Sequence, residues 1–256
     1  MYASTQLPRI GNEVAFRQEF QAYVNAPSEH GLSMIARMDI TEEDLHHIGD
    51  KAAIPSFVLW GDSHANSWAP ALDAAASKYK ASGYMFAYTQ GLCSPTFDKR
   101  QGDGCTQLND TLMSLIEQKQ IKDVIITHND IFDMANYAYT LDRLQSLSVN
   151  IWYIESVPIF HEPVPMILLR KHVFGVDSQP ALLAGAEYYK REKASLLATQ
   201  TDNFRILKIV PTICTEDTCN VDSENGPLYA DRDHLSVLGA LFYQDTFKPI
   251  FEGVHK

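Results

Sequence analysis

The chain has 256 residues, 45% hydrophobic and 21% charged, a globular composition long enough for one large α/β domain with or without an appendage. Its 32 acidic residues outnumber 21 Lys and Arg, giving a formal net charge of −11 and arguing against nucleic-acid binding as its main task. No window approaches the ~18 consecutive apolar residues of a membrane span.

The N-terminus, Met1-Tyr2-Ala3-Ser4-Thr5, carries neither the basic nor the apolar region of a signal peptide. The expectation is a cytosolic protein or a piece of a longer chain. Residues 1 to 54 have no strand signal. Glu13 to Val24 forms a short amphipathic pattern, with Val14, Phe16, Phe20 and Val24 on one side. Thr41 stands as an N-cap with Asp44 able to reach back to it. This segment is too poor in apolar residues for its own core, so it reads as a linker or extension packed on a main domain of residues 55 to 256.

From Ser56 onward, short apolar runs alternate with amphipathic windows. Strands are expected at Phe57–Trp60, Tyr84–Tyr88, Val124–Ile126, Ile151–Ile154 and Phe204–Val210. Helices are expected at Ala65–Tyr79, Thr106–Gln120, Tyr137–Leu147, Pro180–Thr199 and His234–Phe247, the last with Leu235, Leu238, Leu241 and Phe242 inside. Thr89–Asp103 and Thr212–Ala230 read as loops. Pro163 and Pro165 make His161–Ser178 an irregular segment. The alternation describes a five-stranded parallel sheet covered on both faces, with all strand C-termini on one edge, where sites in such folds gather.

Four cysteines fall as two close pairs, Cys93 with Cys105 and Cys214 with Cys219, around turn-forming residues that include Gly102, Gly104 and Asp217. Two local disulfides in an oxidising compartment fit this pattern. Four free thiols, or one zinc site using all four, are the alternatives; the first interval is wider than the usual spacing of zinc ligand pairs.

Chemistry gathers at four places. Gly61-Asp62-Ser63 follows the first strand and opens a helix, a turn that exposes a serine hydroxyl and frees its N–H. Asp231-Arg232-Asp233-His234 opens the last helix. There Asp231 can fold back on Nδ1 of His234 while Nε2 accepts the serine proton; Asp233 is expected to point away and cap the helix. Asn129, after the third strand, can aim its side-chain N–H at an oxyanion, and Gly91, after the second, can offer a backbone N–H. Each has a plainer reading, as an Asx-turn and a turn glycine. His64 and His128 flank the site as packed or solvated imidazoles. Trp60 and Trp152 read as core, as does Trp68, although Trp68 could line a sugar site.

These four blocks, in this order, resemble the SGNH/GDSL hydrolase superfamily. Gly61-Asp62-Ser63-His64-Ala65, the Leu92-Cys93-Ser94-Pro95 loop, Cys214 with Cys219, and Gly226 through Ser236 resemble one branch closely. That branch is the periplasmic SGNH domain fused after the membrane domain of acyltransferase-3 family O-acetyltransferases, which acetylate bacterial surface sugars such as the lipopolysaccharide O-antigen. The resemblance spans about residues 56 to 250. It implies a flavodoxin-like three-layer α/β/α fold, Ser63 as nucleophile, His234 as base and Asp231 as its orienting acid. It also implies an oxyanion hole of Ser63, Gly91 and Asn129, a carbohydrate acceptor, and a membrane domain joined through residues 1 to 54. Acetyl-CoA would be the ultimate donor. The sequence has no glycine loop to cradle its phosphates, so no cofactor or metal is expected in this domain. A carbohydrate acetyl-esterase with the same triad, or a glycan-presenting module with a vestigial one, are the alternatives.

Overall fold

A computed structural model of the protein describes residues 40–88, 93–97, 102–127, 134–176, 195, 199, 202–215 and 218–252. The central strand is β2 (Pro55–Gly61), and its sequence already dictates two covered faces. Phe57 and Leu59 face one side, in a core with Ile125, Trp152 and Ile154. Val58 and Trp60 face the other, with Val124, Ile126, Ile151 and Tyr153. Successive residues of a strand point to opposite faces, so a strand apolar at every position requires helices on both.

Those helices form the outer layers. On the first face lie α1 (Ser63–Lys78), α4 (Val164–Phe174), α5 (Val210–Ile213), α6 (Val237–Phe242) and α7 (Lys248–Glu252). On the second lie α2 (Asp103–Gln118) and α3 (Met134–Ser146). The remaining strands of the sheet are β1 (His46–Gly49), β3 (Ser82–Ala87), β4 (Asp123–Thr127), β5 (Asn150–Ile154) and β6 (Phe204–Leu207), in the spatial order β1-β3-β2-β4-β5-β6. The five from β2 to β6 are parallel, as expected, and the sheet has the three-layer SGNH-like form.

The sixth strand corrects the sequence reading of residues 1 to 54. β1 pairs antiparallel with β3, matching His46 with Met85 through Gly49 with Ser82. Only Ile48 of its four residues is buried, so no local alternation announces it. Its neighbourhood is fixed by contacts distant in sequence: Asp73 Oδ1 accepts from the Gly49 N–H at 2.7 Å, and Ile40 and Leu45 join the second core. The Asp44 carboxylate does reach back to Thr41, accepting from its N–H at 2.8 Å and its hydroxyl at 3.1 Å, but the turn it closes is a 3-10 turn, Glu42–Asp44.

Four further readings change. The segment from His161 holds helix α4, because proline in a first helical turn needs no N–H partner and presets φ; Pro163 caps it and Pro165 lies in that turn. β6 ends at Leu207 and the chain turns into α5, the Glu155 carboxylate accepting from the Ile209 N–H at 2.9 Å. Residues 212–230, expected as loop, contain the end of α5 and the two-stranded ribbon of β7 (Asp222–Ser223) and β8 (Gly226–Pro227). The expected closing helix starts only at Val237 and breaks into a 3-10 turn, Gln244–Phe247, leaving Leu241 and Phe242 exposed. Most of the helix expected at Pro180–Thr199, and the amphipathic pattern at Glu13–Val24, lie outside the described residues.

Candidate active site

β2 carries neighbours on both sides: Gly61 pairs with Ala87 of β3 and with Thr127 of β4. The chain leaves β2 toward β3 on one side and β4 toward β5 on the other, a switch point of the sheet, beside which sites of such folds gather. Gly61 ends β2 at that point because nothing larger fits. A Cβ on it would lie 1.9 Å from the Thr127 carbonyl oxygen and 2.8 Å from Ala65 Cβ. Asp62 then caps α1, its Oδ1 accepting from the His64 N–H at 2.9 Å. Ser63 is the first residue of α1, in the turn where backbone N–H groups have no intrahelical acceptor.

The second half of the site is a turn closed on itself. Tyr229 and Leu235 bridge across it, and the Ala230 N–H donates to the His234 carbonyl at 2.9 Å. Asp231 Oδ1 accepts from the N–H groups of Asp233 at 2.9 Å and His234 at 2.8 Å, an Asx-turn that places three side chains together. The turn is anchored outside itself by the N–H groups of Phe160 and Val164, which donate to the carbonyls of Arg232 and Asp231. Below it, Ser236 donates its hydroxyl to the Pro227 carbonyl at 2.7 Å and accepts from the Gly239 N–H at 3.0 Å. His234 therefore lies ahead of α6, in a braced loop, and Ser236 is that helix's N-cap.

The two halves meet. His234 Nε2 is 2.8 Å from Ser63 Oγ, and His234 Nδ1 is 2.8 Å from Asp231 Oδ2. Asp233 corrects the sequence reading. It does not turn away to cap a helix; its Oδ1 lies 3.2 Å from His234 Nδ1. The Asp231-x-x-His234 spacing hid this, because it says nothing of where residue 233 points. The buried His64 ring packs against His234, centroids 4.6 Å apart and planes 37° apart, so the packed reading of His64 holds. Trp60, Trp68 and Trp152 are core, Trp68 edge-on to Phe247 at 5.5 Å. Gly91, His128 and Asn129 lie outside the described residues.

Burial works against charge at both ends of the His–Asp pair, and the pairing wins. Burial alone would push the His234 imidazole down, but the hydrogen bonds and charges of Asp231 and Asp233 hold it well above its ordinary value. Burial likewise raises Asp231, and its hydrogen bond to and charge interaction with His234 pull it net below the usual carboxylate range. Asp231, Asp233 and His234 are the one group among the described residues whose donor atoms are close enough to share a cation. Their geometry is that of hydrogen bonding, with Nδ1 turned to the carboxylates and Nε2 to the serine. Both cysteine pairs form disulfides, Cys93–Cys105 and Cys214–Cys219, in place of free thiols or a zinc site. The second closes the turn after α5 and leads through Asn220, whose carbonyl accepts from the Tyr243 hydroxyl at 2.8 Å.

A serine, a histidine and an aspartate joined in this order at the switch point of a flavodoxin-like sheet define an SGNH-type domain. The family described as "SGNH domain (fused to AT3 domains)" matches residues 31–249, and the chain belongs to it. Among solved structures it is similar to the periplasmic domain of a lipopolysaccharide acetyltransferase from Salmonella serovar Paratyphi A. The TM-score is 0.63 at 18% identity, covering 81% of this chain and 86% of that one. At that identity the likeness is one of fold. No curated protein sequence matches.

Proposed function

We propose that this domain transfers an acetyl group through an acetyl-serine intermediate onto a sugar hydroxyl of a bacterial surface polysaccharide, such as the lipopolysaccharide O-antigen. The observation that carries the reading is the continuous line from Ser63 Oγ through both ring nitrogens of His234 to Asp231, each contact 2.8 Å. A base on the serine and an acid orienting that base is the arrangement that activates a hydroxyl for acyl transfer.

In the first step Ser63 Oγ attacks the acyl carbonyl while Nε2 of His234 takes the hydroxyl proton. Asp231 stabilises the resulting imidazolium through Nδ1. The tetrahedral intermediate collapses, and the donor's leaving group departs with that proton. In the second step Nε2 removes the proton of the sugar hydroxyl, whose oxygen attacks the acetyl-serine. The ester bond to Ser63 breaks, Oγ recovers the proton, and the sugar leaves acetylated. The Ser63 N–H, at the helix start, is one oxyanion donor. Gly91 and Asn129 are proposed as the others, on the reasoning that their strands end beside Gly61.

The family's fusion to AT3 domains supports a membrane partner that delivers the acetyl group, drawn ultimately from acetyl-CoA, to a domain on the periplasmic side. No helix among the described residues is long and apolar enough to cross a membrane. The test is Ser63→Ala in the full-length protein. Loss of O-acetylation with the domain still folded is expected, and normal acetylation refutes the reading. Supplying the chain with an acetyl ester, with and without acceptor glycan, separates transfer from hydrolysis: ester turnover indifferent to glycan makes the domain an esterase.

A further inference from the structure

The sequence reading gave His234 one carboxylate, and the site holds two. Asp233 Oδ1 is 3.2 Å from Nδ1, against 2.8 Å for Asp231 Oδ2. The two acids differ in exposure: the Asp231 side chain is 46% exposed and that of Asp233 only 14%. The acid with the shorter contact is therefore the more hydrated one, and water weakens its hold on the ring. The nearer-buried Asp233 keeps more of its field. Neither position is accidental, since Asp231 Oδ1 accepts from the Asp233 N–H and fixes the backbone that carries the second carboxylate.

We infer that Asp233 is a positioning residue for the acyl-transfer site, a second carboxylate sharing with Asp231 the Nδ1 proton of His234. This rests on the proposed role of Ser63 and His234. The ring is then held from three directions. Asp231 and Asp233 face Nδ1 from its own turn, Ser63 faces Nε2 from α1, and His64 of α1 covers a face. Arg232 is the cation of the turn itself and is exposed, and on the adjoining segment His161 precedes Glu162, which pairs with Arg170 at 2.7 Å. A bifurcated Nδ1 contact has a chemical use. One carboxylate can swing to water or acceptor during turnover while the other keeps the tautomer that presents Nε2 to the serine.

The sign of the pH effect follows. Both carboxylates favour the imidazolium, and only the neutral ring can take the Ser63 proton. Removing the Asp233 charge therefore lets the neutral ring appear at lower pH. The probe is a fluorophosphonate, with which Ser63 Oγ forms a bond to phosphorus, fluoride leaves and the serine proton passes to Nε2. Labelling rates of the 256-residue chain against pH are compared for wild type, Asp233→Asn and Asp233→Glu. The rising limb for Asp233→Asn is expected to move down by about 1 pH unit or more, the size of shift a close carboxylate produces. The high-pH plateau should stay within about ten-fold, and Asp233→Glu should restore the limb toward wild type.

A superimposable limb, or a fall in plateau with the limb unmoved, overturns the inference and leaves Asp233 a structural residue. NMR titration of the His234 ring nitrogens reads the same pair without any reaction. A His234 titration unchanged by Asp233→Asn overturns it too, even if a variant is weakly stable. Absence of Ser63 labelling at every pH would sink the proposed function instead, while that titration still decides on Asp233.

Discussion

Gly61→Ala is the substitution that couples fold to site most tightly. The added methyl would sit 1.9 Å from the Thr127 carbonyl oxygen, whereas real Cβ atoms essentially never come within 3.0 Å of a neighbour. Strands β2 and β4 must therefore part by about 1 Å at their C-terminal ends, and Ala65 Cβ at 2.8 Å blocks escape toward α1. Overpacking of this kind costs about 1–3 kcal/mol. Alanine stiffens the unfolded chain and returns about 0.4–1 kcal/mol. At the middle of both ranges the loss wins, for a net destabilisation of about 1.3 kcal/mol, or a fall in Tm of roughly 3–5 °C for a chain this long. Ser63 lies two residues on, and a displacement near 1 Å costs acyl transfer about 10²-fold. Thermal unfolding and fluorophosphonate labelling measure the two effects. A variant with wild-type Tm and wild-type labelling would refute the claim that this glycine sets the serine's position.

Other perturbations have defined outcomes. Ser236→Ala removes a donor to Pro227 and the cap on Gly239, both buried, and should cost about 2–3 kcal/mol in urea unfolding, with slower acylation because His234 shares that turn. Reduction should lower stability by about 3 kcal/mol for Cys93–Cys105 and about 2 kcal/mol for Cys214–Cys219, following loops of 12 and 5 residues, read as the loss on reducing each pair alone in Cys→Ser backgrounds. The raised imidazole of His234 contributes stability that is full below its unfolded value near 6.5 and is lost as pH climbs through the higher folded value. The stability difference between wild type and His234→Gln should therefore shrink from neutral to alkaline pH, while fluorophosphonate labelling rises over the same window. A difference that grows with pH would reverse the assignment.

What the sequence made readable, and what it did not, follows from the range of the forces involved. The parallel core was legible because Phe57–Trp60, Val124–Ile126 and Ile151–Ile154 are apolar at every position, which only a doubly covered sheet satisfies. β1 was illegible because three of its four residues are half-exposed and its pairing with β3 is decided some 35 residues away. Helix α4 was hidden by Pro163 and Pro165, which read as breakers until their place in the first turn is known. At the site, the juxtaposition of Ser63, Asp231 and His234 was legible from residue type and spacing. Asp233 was not, because its direction is set by an Asx-turn hydrogen bond from its own N–H to Asp231, a contact no spacing rule encodes. His64 was visible only as a packed or solvated ring; that it packs on His234 needed the meeting of α1 with a loop 171 residues along the chain from Ser63.

The acetyl-serine is the point on which the proposed function turns, and it can be caught directly. The chain is mixed with a chromogenic acetyl ester in the absence of acceptor, quenched in acid and digested, and its peptides are weighed. One acetyl group per chain is expected, on the peptide carrying Gly61-Asp62-Ser63, and none in Ser63→Ala. Ester consumption with acetyl on another residue, or equal turnover by Ser63→Ala, would contradict it.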